Sequence, residues 1–207
     1  MILLDCIQGS ETWLDARKFI PTSSKFDKII TSTGKASSSA NEYMNKLLAE
    51  YVDPDQAESF KSKAMERGNE MEPKAKELYQ QLTGFKVREV GGIFLDENRE
   101  TICSPDGLIE SEKRGLEIKC PNLNTHIGYV RAGVMPTKYI IQVQSGMLFS
   151  GYKTWDFMSY HPSYRPLILT IKRDEILIKK IKESVLYFSE QLKKEKAEID
   201  EYLNVEF

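Results

Sequence analysis

Asp106, Glu117 and Lys119 carry two carboxylates and an ammonium within fourteen residues of sequence. Asp106 stands between Pro105 and Gly107 at the start of a short extended segment, and Glu117 and Lys119 lie in Leu116-Glu117-Ile118-Lys119, beyond a turn at Glu110 to Gly115. A hairpin would set Asp106 beside Glu117. Residues two apart in a strand share a face, so Glu117 and Lys119 would point together while Leu116 and Ile118 turn to an apolar side. Two hard oxygen donors on one surface select magnesium or manganese and leave coordination positions for water and phosphate oxygens. Such a cation polarises a phosphodiester and activates water, with Lys119 orienting that water or stabilising the developing negative charge. The competing reading is a surface hairpin whose Glu and Lys form an exposed ion pair, which contributes little to stability. The order of residues favours the metal site: Asp between Pro and Gly, about ten residues, then Glu-x-Lys on a strand.

Other chemistries find little support. Cys6, Cys103 and Cys120 are odd in number and form no CxxC pair, so neither a disulfide framework nor a zinc or iron-sulfur site is expected, and they read as buried thiols. His126 and His161 have no second ligand at helical or hairpin spacing and read as structural. A formal charge of -2 argues against a general nucleic-acid coat, so any contact with a polyanion must be local. The apolar run Tyr139 to Phe149 is far shorter than the roughly 18 to 20 residues of a membrane span. Met1 to Gly9 lacks the basic and apolar segments of a secretory signal, which makes the cytoplasm the expected location.

The chain reads as one domain over its 207 residues. Trp13 to Lys18 and Thr22 to Ile30 are expected as short helices, Thr31 to Ala40 as a mobile polar loop, and Asn41 to Val52 as a third helix. Ala64, Gly68, Met71, Ala75, Leu78 and Leu82 recur at helical spacing in a longer helix over Ala57 to Leu82. Five strand-like segments follow, Phe85 to Val90, Gly92 to Leu95, Thr101 to Ser104, Gly107 to Glu110 and Gly115 to Cys120, expected as an antiparallel meander. A helix over Thr137 to Phe149, strands at Lys153 to Tyr160 and Leu167 to Lys172, and a long amphipathic helix over about 174–202 complete the chain. The pattern predicts a mixed α/β (α+β) fold with a sheet flanked by helices.

Ser-Pro-Asp-Gly-Leu at residues 104–108 and Leu-Glu-Ile-Lys-Cys-Pro at residues 116–121 resemble the phage lambda exonuclease family, the YqaJ-type viral recombinases, within the PD-(D/E)xK nuclease superfamily. The resemblance covers Trp13 to Asp174 and implies a restriction-endonuclease-like core with a central mixed sheet. It implies a metal site of Glu72, from Arg67-Gly68-x-x-x-Glu72, with Asp106, Glu117 and Ile118, an apolar residue whose only oxygen is its main-chain carbonyl. Gln142, in Tyr139-x-x-Gln142-x-Gln144, is similar to a glutamine that reaches the catalytic centre beside Lys119. Arg17, in Trp13-x-x-x-Arg17, and Ser24 resemble residues that hold the 5′ phosphate of the strand being degraded. Met65 matches an apolar wedge at the DNA end. The loop around Ser37 and the terminal Asn204-Val205-Glu206-Phe207 carry no family signature.

The function so implied is a magnesium-dependent, manganese-tolerant 5′ to 3′ exodeoxyribonuclease that resects linear duplex ends to mononucleotides, leaving 3′ tails for recombination. Its expected setting is a bacterial host cell, encoded by phage or prophage, with a homotrimeric ring enclosing the duplex and a single-strand-annealing protein as partner. Two alternatives remain open on the residues alone: an endonuclease with the same metal centre, and a nonenzymatic DNA-binding scaffold. A Cas4-like nuclease would need four cluster-forming cysteines.

Overall fold

The computed structural model describes residues 1–54 and 63–203, with the main chain alone at 63–66 and 69. A smaller sheet joins β1 (Ile2–Leu4), β2 (Gly92–Phe94) and β3 (Ile102–Cys103), with both pairings antiparallel. The larger runs β4 (Gly107–Ile109), β5 (Arg114–Lys119), β6 (Thr154–His161), β7 (Tyr164–Lys172), with β5 and β6 parallel and the outer pairings antiparallel. Its α-helices are α1 (Glu11–Asp15), α2 (Ala40–Val52), α3 (Lys63–Thr83), α4 (Leu123–Ala132), α5 (Ile140–Ser150) and α6 (Glu175–Leu203). A parallel pair needs a crossover, and α4, a 3₁₀ turn at Thr137–Tyr139 and α5 supply it between β5 and β6.

The alternation along β5 divides the core in two. Leu116 and Ile118 pack with Ile109 and Met158 against Ala75 and Tyr79 of α3. The opposite face meets α5, behind which Ile178, Ile181, Val185, Phe188 and Leu192 of α6 close a larger core with Phe26 and Tyr43. The sheet is therefore covered on both sides, the layered mixed α/β arrangement that the sequence predicts. Among the described residues no helix is long and apolar enough to cross a membrane.

One ionic node crosses between the layers. Asp156, 1% exposed, accepts from Tyr79 Oη at 2.6 Å, from Arg114 Nη1 at 2.9 and 3.0 Å, and from Thr170 Oγ1 at 2.7 Å. It ties α3 to β5, β6 and β7 through a carboxylate whose oxygens are fully engaged. His126 is also structural. Its Nε2 lies 3.0 Å from the Arg165 carbonyl, which can only accept, so Nε2 carries the proton and Nδ1 receives the Ser159 hydroxyl at 2.8 Å.

Several expectations need correction. The five segments do not form one meander: β2 and β3 belong to the smaller sheet, β4 and β5 to the larger, and Phe85 to Val90 contributes only a single bridge, Arg88 to Leu108. The expected mobile loop at Thr31 to Ala40 is a tied turn, with Thr31 N donating to Lys35 O at 2.8 Å and Ser37 N to Ile29 O at 2.9 Å. Gly34 takes a positive φ of 77° there, against the Lys180 side chain of α6. Strand β1 and helix α4 were not expected, although Asn122 caps α4 by accepting from Thr125 N at 2.9 Å and Gly133 ends it at φ 63°. The start of the expected helix at Ala57 lies outside the described residues.

Candidate active site

The turn between β4 and β5 brings Asp106 to Glu117. Asp106 N donates to Leu116 O at 3.2 Å, and the Asp106 carboxylate turns back to accept from Ile118 N at 2.5 Å. Ile118 thus meets Asp106 through its main chain while its side chain joins the apolar cluster under α3. Glu117, 2% exposed, and Lys119 share the other face, and Lys119 Nζ lies 2.6 Å from Glu117 Oε1. Apart from that ion pair, Glu117 Oε1 is buried without a hydrogen-bond partner. Glu72 approaches from α3 just before Pro73, with Lys76 Nζ 3.7 Å from its Oε1 and 2.7 Å from Glu89 Oε1.

Burial and crowding of like charge shape the electrostatics. Burial, reinforced by Asp106 and opposed by Lys119, pushes Glu117 up to about 8. Burial and the charge of Asp106 push Glu72 up to about 7, against Lys76 and Lys119. Asp106 is raised too, by burial that Lys119 and the Ile118 N–H only partly offset. Burial alone would lower Lys119, yet Glu117 and Asp106 outweigh it and hold the ammonium above its ordinary value. The three mutually repelling carboxyls of Glu72, Asp106 and Glu117 are hard oxygen donors of the kind that fits a divalent cation. Among the described residues no three His, Cys, Asp or Glu side chains close around an ion by themselves. The fit is therefore to an open site, completed by main chain, water or ligand oxygens, rather than to a closed structural one.

Two openings reach this centre. Asp106 and Glu72 line a cleft of about 560 Å³ with Asp5, Gln8, Trp13 and Lys76. Lys119 and Gln142 line a separate cavity of about 280 Å³ with Ser24, Lys138 and Tyr139. Gln144 faces elsewhere, donating to Lys172 O at 3.0 Å and accepting from Asp174 N at 2.9 Å, so it pins α5 to the end of β7.

Arg17 and Ser24 do not share one cavity. Arg17 stacks 4.2 Å from the Trp13 ring and donates to Ser104 Oγ at 2.8 Å, two residues before Asp106. It also borders a cavity of about 370 Å³ with Thr22 and Lys25. Ser24 lies one step away, its hydroxyl 3.3 Å from that of Thr22. Met65 sits in the main chain of α3 seven residues before Glu72, and its side chain lies outside the described residues.

The sequence reading missed Ser104, Lys76 and Gln8. Ser104 receives both Arg17 and the Trp13 indole, the latter at 3.2 Å, and its place before Pro105-Asp106 was a usable signal. Gln8 braces the backbone ahead of Asp106 by donating to Pro105 O at 2.8 Å and Val90 O at 3.0 Å. Nothing in its local sequence announces that contact 97 residues away.

Comparison with known proteins decides the family. The YqaJ-like viral recombinase domain matches residues 12–153, more than half of the chain. The chain belongs to the YqaJ-like viral recombinase family. Among solved structures it is similar to an alkaline exonuclease (LHK-Exo) from Laribacter hongkongensis, with 31% identity, a TM-score of 0.83, and coverage of 94% of this chain and 98% of that one. The same exonuclease in complex with dAMP matches at 32% identity and a TM-score of 0.82, with the same coverage. A phage-related exonuclease from Haemophilus somnus shares the fold at 20% identity and a TM-score of 0.67, covering 87% of this chain and 96% of that one. No curated protein matches. Membership of the YqaJ-like family and the exonuclease relatives support a nuclease role.

Proposed function

We propose that this YqaJ-like chain is a metal-dependent exodeoxyribonuclease that degrades the 5′ strand of linear duplex DNA to mononucleotides and leaves a 3′ single-stranded tail. The observation that carries the reading is the convergence of Asp106, Glu117 and Lys119, with Glu117 buried and paired with Lys119. Asp106, Glu117, Glu72 and the Ile118 main chain would hold magnesium, or manganese in its place. Bound there, the cation would supply Lewis-acid stabilisation of the phosphodiester's growing negative charge.

The chain's own groups do the rest. Lys119, held charged by its two carboxylate neighbours, donates to a phosphate oxygen or to the attacking water. Gln142, on the wall of the same cavity, has an amide that can accept from that water and donate to phosphate together. Arg17, pre-oriented by Trp13 and Ser104, offers the planar fork suited to a terminal phosphate, with Ser24 nearby. The main chain of Met65 lies on the same helix as Glu72, about two turns earlier, where an apolar side chain would part the terminal base pair. A 5′-mononucleotide such as dAMP, found with the Laribacter exonuclease, is the product this reading requires.

A chain of net charge -2 has a weak general grip on DNA, so retention on the duplex would come from enclosure by a homotrimeric ring. Ile176, Tyr187 and Tyr202 of α6 are exposed apolar side chains available for subunit contacts. An annealing protein that takes up the 3′ tail would be the natural partner.

Digestion of 5′-phosphorylated linear duplex, 5′-hydroxyl linear duplex and closed circular duplex in magnesium tests the reading. The expected order is fast, slow and none. Asp106→Ala should abolish cleavage while DNA binding persists, and Arg17→Ala should erase most of the phosphate preference. Cleavage of the closed circle at the linear rate would move the assignment to an endonuclease, and no cleavage by the wild type would leave a DNA-binding scaffold.

A further inference from the structure

Lys138 stands on the wall of the cavity that Lys119 and Gln142 line, at the 3₁₀ turn before α5. Its ammonium lies 4.9 Å from the centroid of the Tyr139 ring and 5.8 Å from that of Tyr129, and the two rings meet edge to face at 6.4 Å. The Tyr129 hydroxyl, and to a lesser degree that of Tyr139, favours the charged form and raises Lys138 above its ordinary value against a modest cost of burial. These partners are neutral. They fix the position of the charge without cancelling it, and no carboxylate among the described residues lies within ion-pair distance of Lys138.

Lys119 lies 5.3 Å from the same Tyr139 ring. Two ammoniums thus converge on one ring and one cavity, and only Lys119 has a carboxylate partner, Glu117. The acid in the cavity wall, Asp27, has Lys28 4.0 Å away. The remaining lining is hydroxyl and amide, from Ser23, Ser24 and Gln142. Such a cavity is short of one anion. Its 280 Å³ is near the lower end of the range of ligand pockets, about 300 Å³, which suits a sugar-phosphate unit better than a base pair.

We propose that Lys138, held by Tyr129 and Tyr139, forms a phosphate-binding subsite on the cavity wall shared with Gln142, which grips the backbone phosphate on the 3′ side of the phosphate under attack, apart from the terminal phosphate assigned to Arg17 and Ser24. The subsite rests on the nuclease reading for its ligand. It assigns binding to Lys138, and no step of the chemistry.

The test is duplex binding by fluorescence anisotropy in EDTA over a range of salt, with full-length wild type, Lys138→Ala, Lys138→Arg and Tyr129→Phe, followed by kcat and KM in magnesium. One lost phosphate contact removes about 0.7 to 0.9 from the slope of log affinity against log salt and weakens binding about fivefold at physiological salt. Lys138→Ala should show both changes, with a raised KM and a kcat within about twofold of wild type. Lys138→Arg should keep the slope, because the charge survives, and Tyr129→Phe should fall between. Lys138 is exposed, so these variants should fold. Unchanged affinity and slope in Lys138→Ala, with normal DNA binding by the wild type, would overturn the subsite, as would a loss confined to kcat. A wild type that binds DNA but hydrolyses none would instead overturn the nuclease reading, and the slopes would still decide the subsite.

Discussion

Trp155 is clamped between two glycines, and Gly115→Ala should show how tightly that clamp sets the site. Trp155 on β6 pairs in register with Gly115 on β5, and its indole, 1% exposed, reaches across to Gly146 on α5. A methyl at Gly146 would meet Trp155 Cζ2 at 2.5 Å and Cη2 at 2.6 Å, and one at Gly115 would overlap Cζ3, Cε3 and Cη2 more closely still. The ring cannot retreat from one glycine without striking the other. Overpacking a core typically costs about 1–3 kcal/mol, and with both exits closed Gly115→Ala should lie at or above about 3 kcal/mol. Gly115 precedes Glu117 by two on the same face, and Gly146 lies one turn beyond Gln142, so the strain acts on the spacing between those two side chains.

The assay is a double-mutant cycle by urea denaturation. Trp155→Phe shrinks the ring and removes an indole N–H that has no partner, yet leaves a void costing about 1–3 kcal/mol. The double variant should be more stable than the sum of the singles predicts by at least about 1 kcal/mol, because the smaller ring admits the methyl. Cleavage by Gly115→Ala under conditions where it remains folded should fall more than DNA binding does. Additive losses, or a Gly115→Ala change within about 0.5 kcal/mol of wild type, would refute the clamp.

Two further outcomes follow from the buried charges. Between 4.5 and about 8 folded Glu117 keeps a proton that the unfolded chain releases, so without metal the stability falls as pH rises through that window; a cation requires the ionised form. The magnesium-induced rise in Tm should therefore be larger at about pH 8.5 than at about pH 6, and an equal rise at both would separate Glu117 from metal binding. Asp156→Asn leaves Arg114 without its carboxylate partner behind the sheet and should cost about 3–5 kcal/mol by urea denaturation, whereas a loss under about 1 kcal/mol would show that Tyr79 and Thr170 alone hold α3 to β5.

The chemistry-bearing residues of β4 and β5 were legible in the sequence because strand alternation is local. Once Leu116 and Ile118 are apolar, Glu117 and Lys119 must share the other face, and the short turn after Gly107 forces Asp106 alongside. The helical stripe in α3 and the apolar repeat in α6 were legible for the same reason, since each element's own period names its buried face. Tertiary structure decided what depends on contacts between distant segments. The expected meander divides between two sheets because β1, from the chain's start, pairs with β2, while β5 takes β6 as its parallel neighbour across about 35 residues. Arg17 meets Ser104 rather than sharing a cavity with Ser24, and Lys138 joins Lys119 at one ring, through packing between elements that no local pattern encodes. Even the raised carboxyls are a tertiary property: isolated strands would leave Glu117 in water, and only the layers closing over both faces of β5 remove enough solvent to make its ionisation costly.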